Sequence, residues 1–496
     1  MADIEHPFHP IIYVRGYAMT QSEIDATVST PYMGFNLGAT KVRQDWRGET
    51  TRHIFESPLV RLMKDHGYRD IYLEGQERAG DLPAKSIVIY RYYEQADSEL
   101  GGDEAPSIEE AARGLGDLIL SLREKVCGDD AAALQAFRVH LVAHSMGGLV
   151  CRCFLQNPDV SSEQARALVD KVFTYATPHN GIDMAGINVP GFLGLWDVNN
   201  FNRRRMAEYL DLPADSRRVD SLEGRFDPDR FFCLVGTNHR DYAVAAGVSR
   251  RLAGPMSDGL VQIENATVRG APRAFVYRSH SGPYGIVNSE EGYQNLTRFL
   301  FGDLRVDGIL EVQSLPLPPS VREAKRKDRQ IRASYFFEST ISPRGAMTYK
   351  LSERRKETFS AILRPFDELL RVETVPGLKV QRSPYLFSLF LTSAKVTVGR
   401  TLVFSLELAV SSTDYEIDGL LFFDQHVEGE YLFRNTLTVR ATPGAEGWNI
   451  RYNLTDDRWS ESRGRDIETD EKGMFIPIRS AKGFEGRLRL LTRHWN

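Results

Sequence analysis

At residues 139–150 a strand-like apolar run, Val-His-Leu-Val-Ala-His, meets a serine set among small residues, Ser-Met-Gly-Gly-Leu-Val, where an apolar helical segment begins. No other stretch constrains the chain as much. A strand that becomes a helix at one residue needs a sharp, strained bend. Ala143 and Gly147, two before and two after Ser145, leave room for it. The bend pushes the Ser145 hydroxyl outward. The helix starting there aims free N–H groups and the positive end of its dipole at whatever that oxygen attacks. The segment reads as a nucleophile elbow written Ala-His-Ser-Met-Gly.

The surrounding pattern alternates strands and helices. Ile11–Val14, Ser86–Tyr90, Lys171–Tyr175, Phe231–Val235 and Ala274–Tyr277 are short apolar runs expected as buried strands. A helix is expected from Ser57 to Gly67. Another opens with a Ser107–Glu110 capping box and carries Ile108, Ala111, Ala112, Leu115, Ile119, Leu122 and Val126 at helical spacing. A closing helix is expected from Ser289 to Phe301, capped reciprocally by Asn288 and Glu291. This alternation predicts a mostly parallel sheet with helices on both faces.

On these residues the chain resembles the α/β-hydrolase superfamily over roughly residues 10–302, and within it the lipase-like serine hydrolases. Bacterial lipases, lecithin–cholesterol acyltransferases and glycosylphosphatidylinositol-deacylating esterases are the nearest in character. The resemblance implies a serine nucleophile whose acid and histidine partners follow it in that order. Of the eleven histidines, three fall in the downstream part of this region. His280, in Arg-Ser-His-Ser-Gly-Pro, sits where the fold carries its base. His179, in Thr-Pro-His-Asn-Gly, resembles a Thr-Pro-His-x-Gly stretch of lipases and is expected to support the site or line the substrate pocket. His239 reads as an exposed loop residue. Ser-Asp258-Gly-Leu-Val resembles the Asp-Gly-x-Val acid loop, with Asp183 and Asp241 as weaker candidates. The first oxyanion donor is expected to be the Met146 N–H. The second is that of Tyr17, or of Ala18 if the loop is shifted; lipases write His-Gly here, and this chain has Arg15-Gly16.

Residues 182–226 form a long insertion rich in apolar side chains, among them Phe192, Leu195 and Trp196, followed by Arg203, Arg204 and Arg205. It reads as a lid over an acyl pocket, with peripheral contact to a lipid surface as a weaker expectation. A second insertion, 33–51, carries Phe35, Leu37 and Trp46. The expected domains are an α/β-hydrolase domain over 1–304, a solvated linker over 305–333 rich in Pro and charge, and a C-terminal β-rich domain over 334–496, sandwich or barrel-like. Its aromatics, including Phe387, Phe390, Phe433 and Trp495, read as core. The minority reading is an accessory module for lipid, glycan or protein.

A net charge of −5 over 496 residues argues against nucleic acid as a partner. The four cysteines read as free buried thiols, and no secretory leader or membrane span is visible. A cytoplasmic location is therefore the default expectation, with export by a signal-independent route left open. No phosphate loop, His-Glu-x-x-His or paired Cys-x-x-Cys motif occurs, and the expected chemistry needs no metal or organic cofactor. The expectation is a carboxylic ester hydrolase acting on acyl or lipid esters. A thioesterase, acyltransferase or peptidase with the same residues is the first alternative. A catalytically silent hydrolase-fold binding protein working through its β-rich part is the second.

Overall fold

The computed structural model describes residues 4–16, 39–44, 50–55, 57–73, 76–77, 82–90, 92, 106–184, 187–188, 200–241, 256–281, 285–343, 362–366, 369, 372–375, 378–381, 383–392, 401–418, 425–444, 447–457 and 464–496. The chain divides into two compact units, Met1–Phe301 and Gly302–Asn496.

The first unit is built on a seven-stranded sheet. Its strands are β1 (Ile11–Val14), β2 (Arg69–Asp70), β3 (Ser86–Tyr90), β4 (Val139–His144), β5 (Val169–Tyr175), β6 (Phe231–Gly236) and β7 (Arg273–Val276). They lie in the order β7-β6-β5-β4-β1-β3-β2, and every pairing is parallel. Strands such as Ile-Ile-Tyr-Val and Phe-Phe-Cys-Leu-Val-Gly are buried along their whole length, as a parallel sheet covered on both faces requires. The chain enters at β1, runs outward to β2 and β3 on one side, then crosses to β4 and proceeds the other way. Such a reversal leaves a crevice beyond the carboxyl ends of the two central strands. Ser145 immediately follows β4. This covered parallel sheet, with the serine turn at its reversal point, has the α/β-hydrolase arrangement.

Helix α1 spans Ser57–His66, α2 Ile108–Cys127, α3 Met146–Gln156, α4 Arg203–Tyr209 and α5 Glu290–Phe301. The capping box of α2 forms: the Glu110 N–H donates to Ser107 Oγ at 3.2 Å and the Ser107 N–H to Glu110 Oε2 at 2.8 Å. Its stripe from Ile108 to Val126 is buried in the same core as α3, with Leu149, Val150 and Phe154. The closing helix departs from expectation. Ser289 caps it, accepting from the Gly292 N–H at 2.9 Å, while Glu291 reaches outside the helix to Arg278. A charged partner thirteen residues upstream outcompetes the local cap.

The second unit contains a five-stranded and a six-stranded antiparallel sheet. Its elements are β8 (Leu304–Ser314), α6 (Pro319–Arg326), β9 (Ser334–Pro343), β10 (Ile362–Pro365), β11 (Tyr385–Leu391), β12 (Leu402–Ser412), β13 (Tyr431–Gly444), β14 (Gly447–Leu454), β15 (Arg465–Asp466), β16 (Glu468–Asp470), β17 (Gly473–Arg479) and β18 (Glu485–His494). Among the described residues the orders of the two larger sheets are β11-β8-β18-β17-β16 and β10-β9-β12-β13-β14-β15, and smaller sheets of two and three short strands accompany them. Phe387, Phe390, Phe433 and Trp495 are buried in this unit, whereas Tyr431 is exposed.

The expected linker over 305–333 is not one. Its first ten residues belong to β8, paired on both sides by β11 and β18, and only 315–318 lack regular structure before α6. Val306, Leu310 and Val312 point inward at strand spacing. Arg305 and Asp307, which read as solvated charges, are buried as an ion pair at 2.8 Å. Charge in sequence signals solvent only while its partner goes unseen.

Candidate active site

The turn after β4 has the strain that its sequence implies. Ser145 adopts φ 52° and ψ −125°, outside the regions where side chains sit comfortably. Its N–H still donates to the Tyr175 carbonyl at 2.9 Å, the last rung toward β5, and its carbonyl accepts from Thr177 Oγ1 at 2.9 Å. Thr177 can come so close because residue 148 is glycine: a Cβ there would lie 2.2 Å from Thr177 Oγ1. The end of β5 and the residue two beyond it thus hold the strained residue in place. Thr177 was not singled out from sequence. Only its place just after a strand next to β4 could have marked it.

Asp258 and His280 lie on loops after β6 and β7. Asp258 is 1% exposed and sits in a tight turn that Gly259 makes possible, with φ at 101°. One carboxylate oxygen accepts from the Leu260 and Val261 N–H groups at 3.0 and 2.8 Å. The other lies 2.9 Å from His280 Nδ1. Since a carboxylate only accepts, Nδ1 carries the proton. His280 Nε2 is then a lone-pair acceptor, and Ser145 Oγ stands 2.9 Å from it. The result is a continuous line from hydroxyl to imidazole to carboxylate. His280 is 4% exposed, so the line is shielded from water on most sides. Its loop is held at the near end by Arg278, whose guanidinium donates twice to Glu291 at 3.1 Å, and by the Ile286 N–H donating to the Ser279 carbonyl at 2.9 Å.

Met146 opens α3 with no side chain from Ser145 capping the helix, so its N–H lies at the helix's open N-terminal end, next to Ser145. Gly16 packs against the serine: a Cβ there would lie 2.9 Å from Ser145 Cβ. Tyr17 and Ala18, the candidates for the second donor, lie outside the described residues, as do Phe192, Leu195 and Trp196 and, in the other insertion, 33–38 and 45–49 with Phe35, Leu37 and Trp46.

The remaining candidates have other places. Asp183 is engaged by Arg203 at 2.6 Å and by Asn265 Nδ2 at 2.8 Å, and Asp241 by Asn238 Nδ2 at 2.5 Å. His239 is half-buried on the loop after β6. His179, expected near the pocket, is fully buried. Its Nε2 lies 3.1 Å from Thr174 Oγ1 and its ring meets Phe231 edge-on, so it packs into the core instead of facing a cleft. Burial and the nearby Arg152 push its pKa well below the usual histidine value, which keeps it neutral. Arg152, also fully buried, donates to the His179, Val219 and Ser221 carbonyls and ties α3 to those loops. Among the described residues no cluster of three His, Cys, Asp or Glu could hold a metal ion, and no helix is long and apolar enough to cross a membrane.

No protein-family model and no curated protein matches the chain. Solved structures do. The mature lipase BlEst2 of Bacillus licheniformis is 16% identical over 60% of this chain and 92% of its own, with a TM-score of 0.30. Phospholipase PlaB from Legionella pneumophila is 13% identical over 81% of this chain and 86% of its own, at 0.34. An acetyl xylan esterase is 10% identical over 39% and 79%, at 0.18.

Proposed function

We propose that this protein is a serine hydrolase of carboxylic esters, with Ser145 as nucleophile, His280 as general base and Asp258 as the group that orients and charge-balances the imidazole. The observation that carries the reading is the pair of 2.9 Å contacts from Ser145 Oγ to His280 Nε2 and from His280 Nδ1 to Asp258, made by a serine held in a strained turn. Ser145 attacks the ester carbonyl as its proton passes to His280. The tetrahedral oxyanion is met by the N–H of Met146 and, on this reading, by that of Tyr17. His280 then gives its proton to the leaving alcohol. Water, deprotonated by the same imidazole, releases the acyl group from Ser145.

The acyl or lipid class of ester is supported by the insertion after β5. Its first part, between Asp183 and Arg203, is closed at the base by the Arg203–Asp183 ion pair at 2.6 Å and by the Ile182 N–H donating to the Phe201 carbonyl at 3.3 Å. The intervening sequence holds Ile187, Val189, Phe192, Leu193, Leu195, Trp196 and Val198. A closed loop of that composition suits a wall or cover for an acyl chain.

The test is labelling by a fluorophosphonate, which reports an activated serine, together with turnover of nitrophenyl esters of increasing length, a phospholipid, an acyl-CoA and a peptide amide. Labelling at Ser145 with ester turnover is expected. No labelling of the folded protein would support the silent binding protein, and preference for acyl-CoA or amide would reassign the substrate class.

A further inference from the structure

The residue just before the proposed nucleophile is a buried-ring histidine that meets the main chain of the proposed base. His144 Nε2 lies 3.0 Å from the backbone carbonyl oxygen of His280, and the two rings are 5.2 Å apart. A carbonyl only accepts, so Nε2 carries a proton. Burial, together with His280 and Arg15 nearby, pushes the His144 pKa down to about 3, so the ring is neutral near neutral pH and its tautomer is fixed with Nδ1 bare. Nδ1 is on the Gly16 side, where a Cβ would come within 3.4 Å of it.

Four polar atoms of His280 are therefore claimed by two short segments. Asp258 takes the backbone N–H through its carbonyl at 3.0 Å, and the Nδ1 proton through its carboxylate. The elbow takes the other two: Ser145 Oγ stands at Nε2, and His144 donates to the carbonyl. Contacts at both ring nitrogens set the direction of the imidazole, but where the ring sits depends on where its Cα is. Fixing the backbone on both sides of that Cα fixes the point from which the ring reaches Ser145.

We propose that His144 is a positioning residue, which grips the His280 main chain from the nucleophile's own strand and so keeps the base and the hydroxyl at reacting distance. This rests on the proposed roles of Ser145, His280 and Asp258. The donor sets the distance without touching substrate, so its loss acts on chemistry rather than on binding.

The experiment compares four proteins: wild type, His144→Phe, which keeps a ring without a donor, His144→Gln, whose amide reaches where Nε2 was, and His144→Asn, whose amide falls short. Ester kcat and KM with a nitrophenyl butyrate, the rate of fluorophosphonate labelling, and thermal unfolding are measured for each. In His144→Phe, kcat and the labelling rate are expected to fall together by about 10–100-fold, with KM within twofold, as a ~1 Å misplacement does. His144→Gln is expected to recover most of the loss, and His144→Asn little of it. If the Phe variant does not fold, the Gln-against-Asn difference carries the test. Equal labelling rates in Gln and Asn variants, or a folded Phe variant at the wild-type rate, would overturn the proposal. Ser145→Ala separates the two levels. Persistent labelling there removes the nucleophile assignment and this inference with it. Lost labelling there, with indifferent His144 variants, removes this inference alone.

Discussion

Gly147 of α3 lies so close to β1 that a Cβ on it would sit 2.2 Å from the Val14 carbonyl oxygen and 2.6 Å from that of Arg15. Both obstacles are backbone, so neither can swing aside. Gly147→Ala must lift the first turn of α3 away from β1, and that turn carries Ser145 and Met146. Overpacking of this kind costs about 1–3 kcal/mol. The expected outcome is a lower thermal midpoint for loss of ester activity, together with a slower labelling rate. Unchanged values for both would contradict the contact.

Asp258→Asn should be far more damaging than its size suggests. The carboxylate accepts three bonds, from the Leu260 and Val261 N–H groups and from His280 Nδ1. An amide has one oxygen, which the two backbone donors hold. Its NH₂ is then presented to His280, and the imidazole proton moves to Nε2. Ser145 loses its acceptor. A fall in kcat of roughly 10⁴-fold is expected with near-normal KM, and steady-state kinetics of the folded variant check it.

Glu291→Gln breaks a fork that anchors the loop carrying His280. Glu291 is 8% exposed and takes two bonds from Arg278, two residues before His280. Arg278 is about a third exposed, so water softens the loss. A stability decrease of ~1–2 kcal/mol is expected, with a several-fold lower kcat. Denaturant unfolding followed by ester activity measures both. A variant with wild-type midpoint and kcat would show the fork to be idle.

Acid should weaken the first unit before it titrates ordinary carboxylates. His140, fully buried in β4, holds the Pro7 carbonyl at 2.8 Å through Nε2. Burial outweighs Asp170 beside it, with Lys171 and His9 also facing it, and its pKa falls to about 3; that of His9 falls to about 4. In the unfolded chain both bind a proton near pH 6.5. Between roughly pH 4 and 6.5 the unfolded state thus holds more protons, so stability rises with pH. It is complete above 6.5 and is lost on acidification, by about 1.4 kcal/mol per buried histidine at pH 5.5. His140→Gln, which keeps a donor for Pro7, is expected to flatten the fall in thermal midpoint between pH 7.5 and 5.5 by about one proton's share. An unchanged slope would exclude His140 as a contributor.

Much of this was written locally. The apolar runs at Ile11–Val14, Ser86–Tyr90 and 139–144, the capping box at Ser107, and the small residues around Ser145 each act within a few positions of themselves, so periodicity and turn chemistry identify them without partners. Asp258 and His280 could be chosen because their loops resemble the acid and histidine loops of lipase-like hydrolases, a likeness carried by a few neighbouring residues each. Their meeting at 2.9 Å was not local, and nor was the burial of Arg305 and Asp307 in β8, an interior strand where a linker was expected. His144 was one letter of a motif until the sheet carried the loop after β7 across to it, and Glu291 looked like a helix cap until Arg278 arrived. The chain alone therefore determined the elements and the chemistry of the elbow. Which distant groups meet His280 depended on contacts between residues up to 136 positions apart, which only closure of the whole parallel sheet brings together. Which charges are sheltered was decided in the second unit, where β11 and β18 flank the strand that carries Arg305 and Asp307.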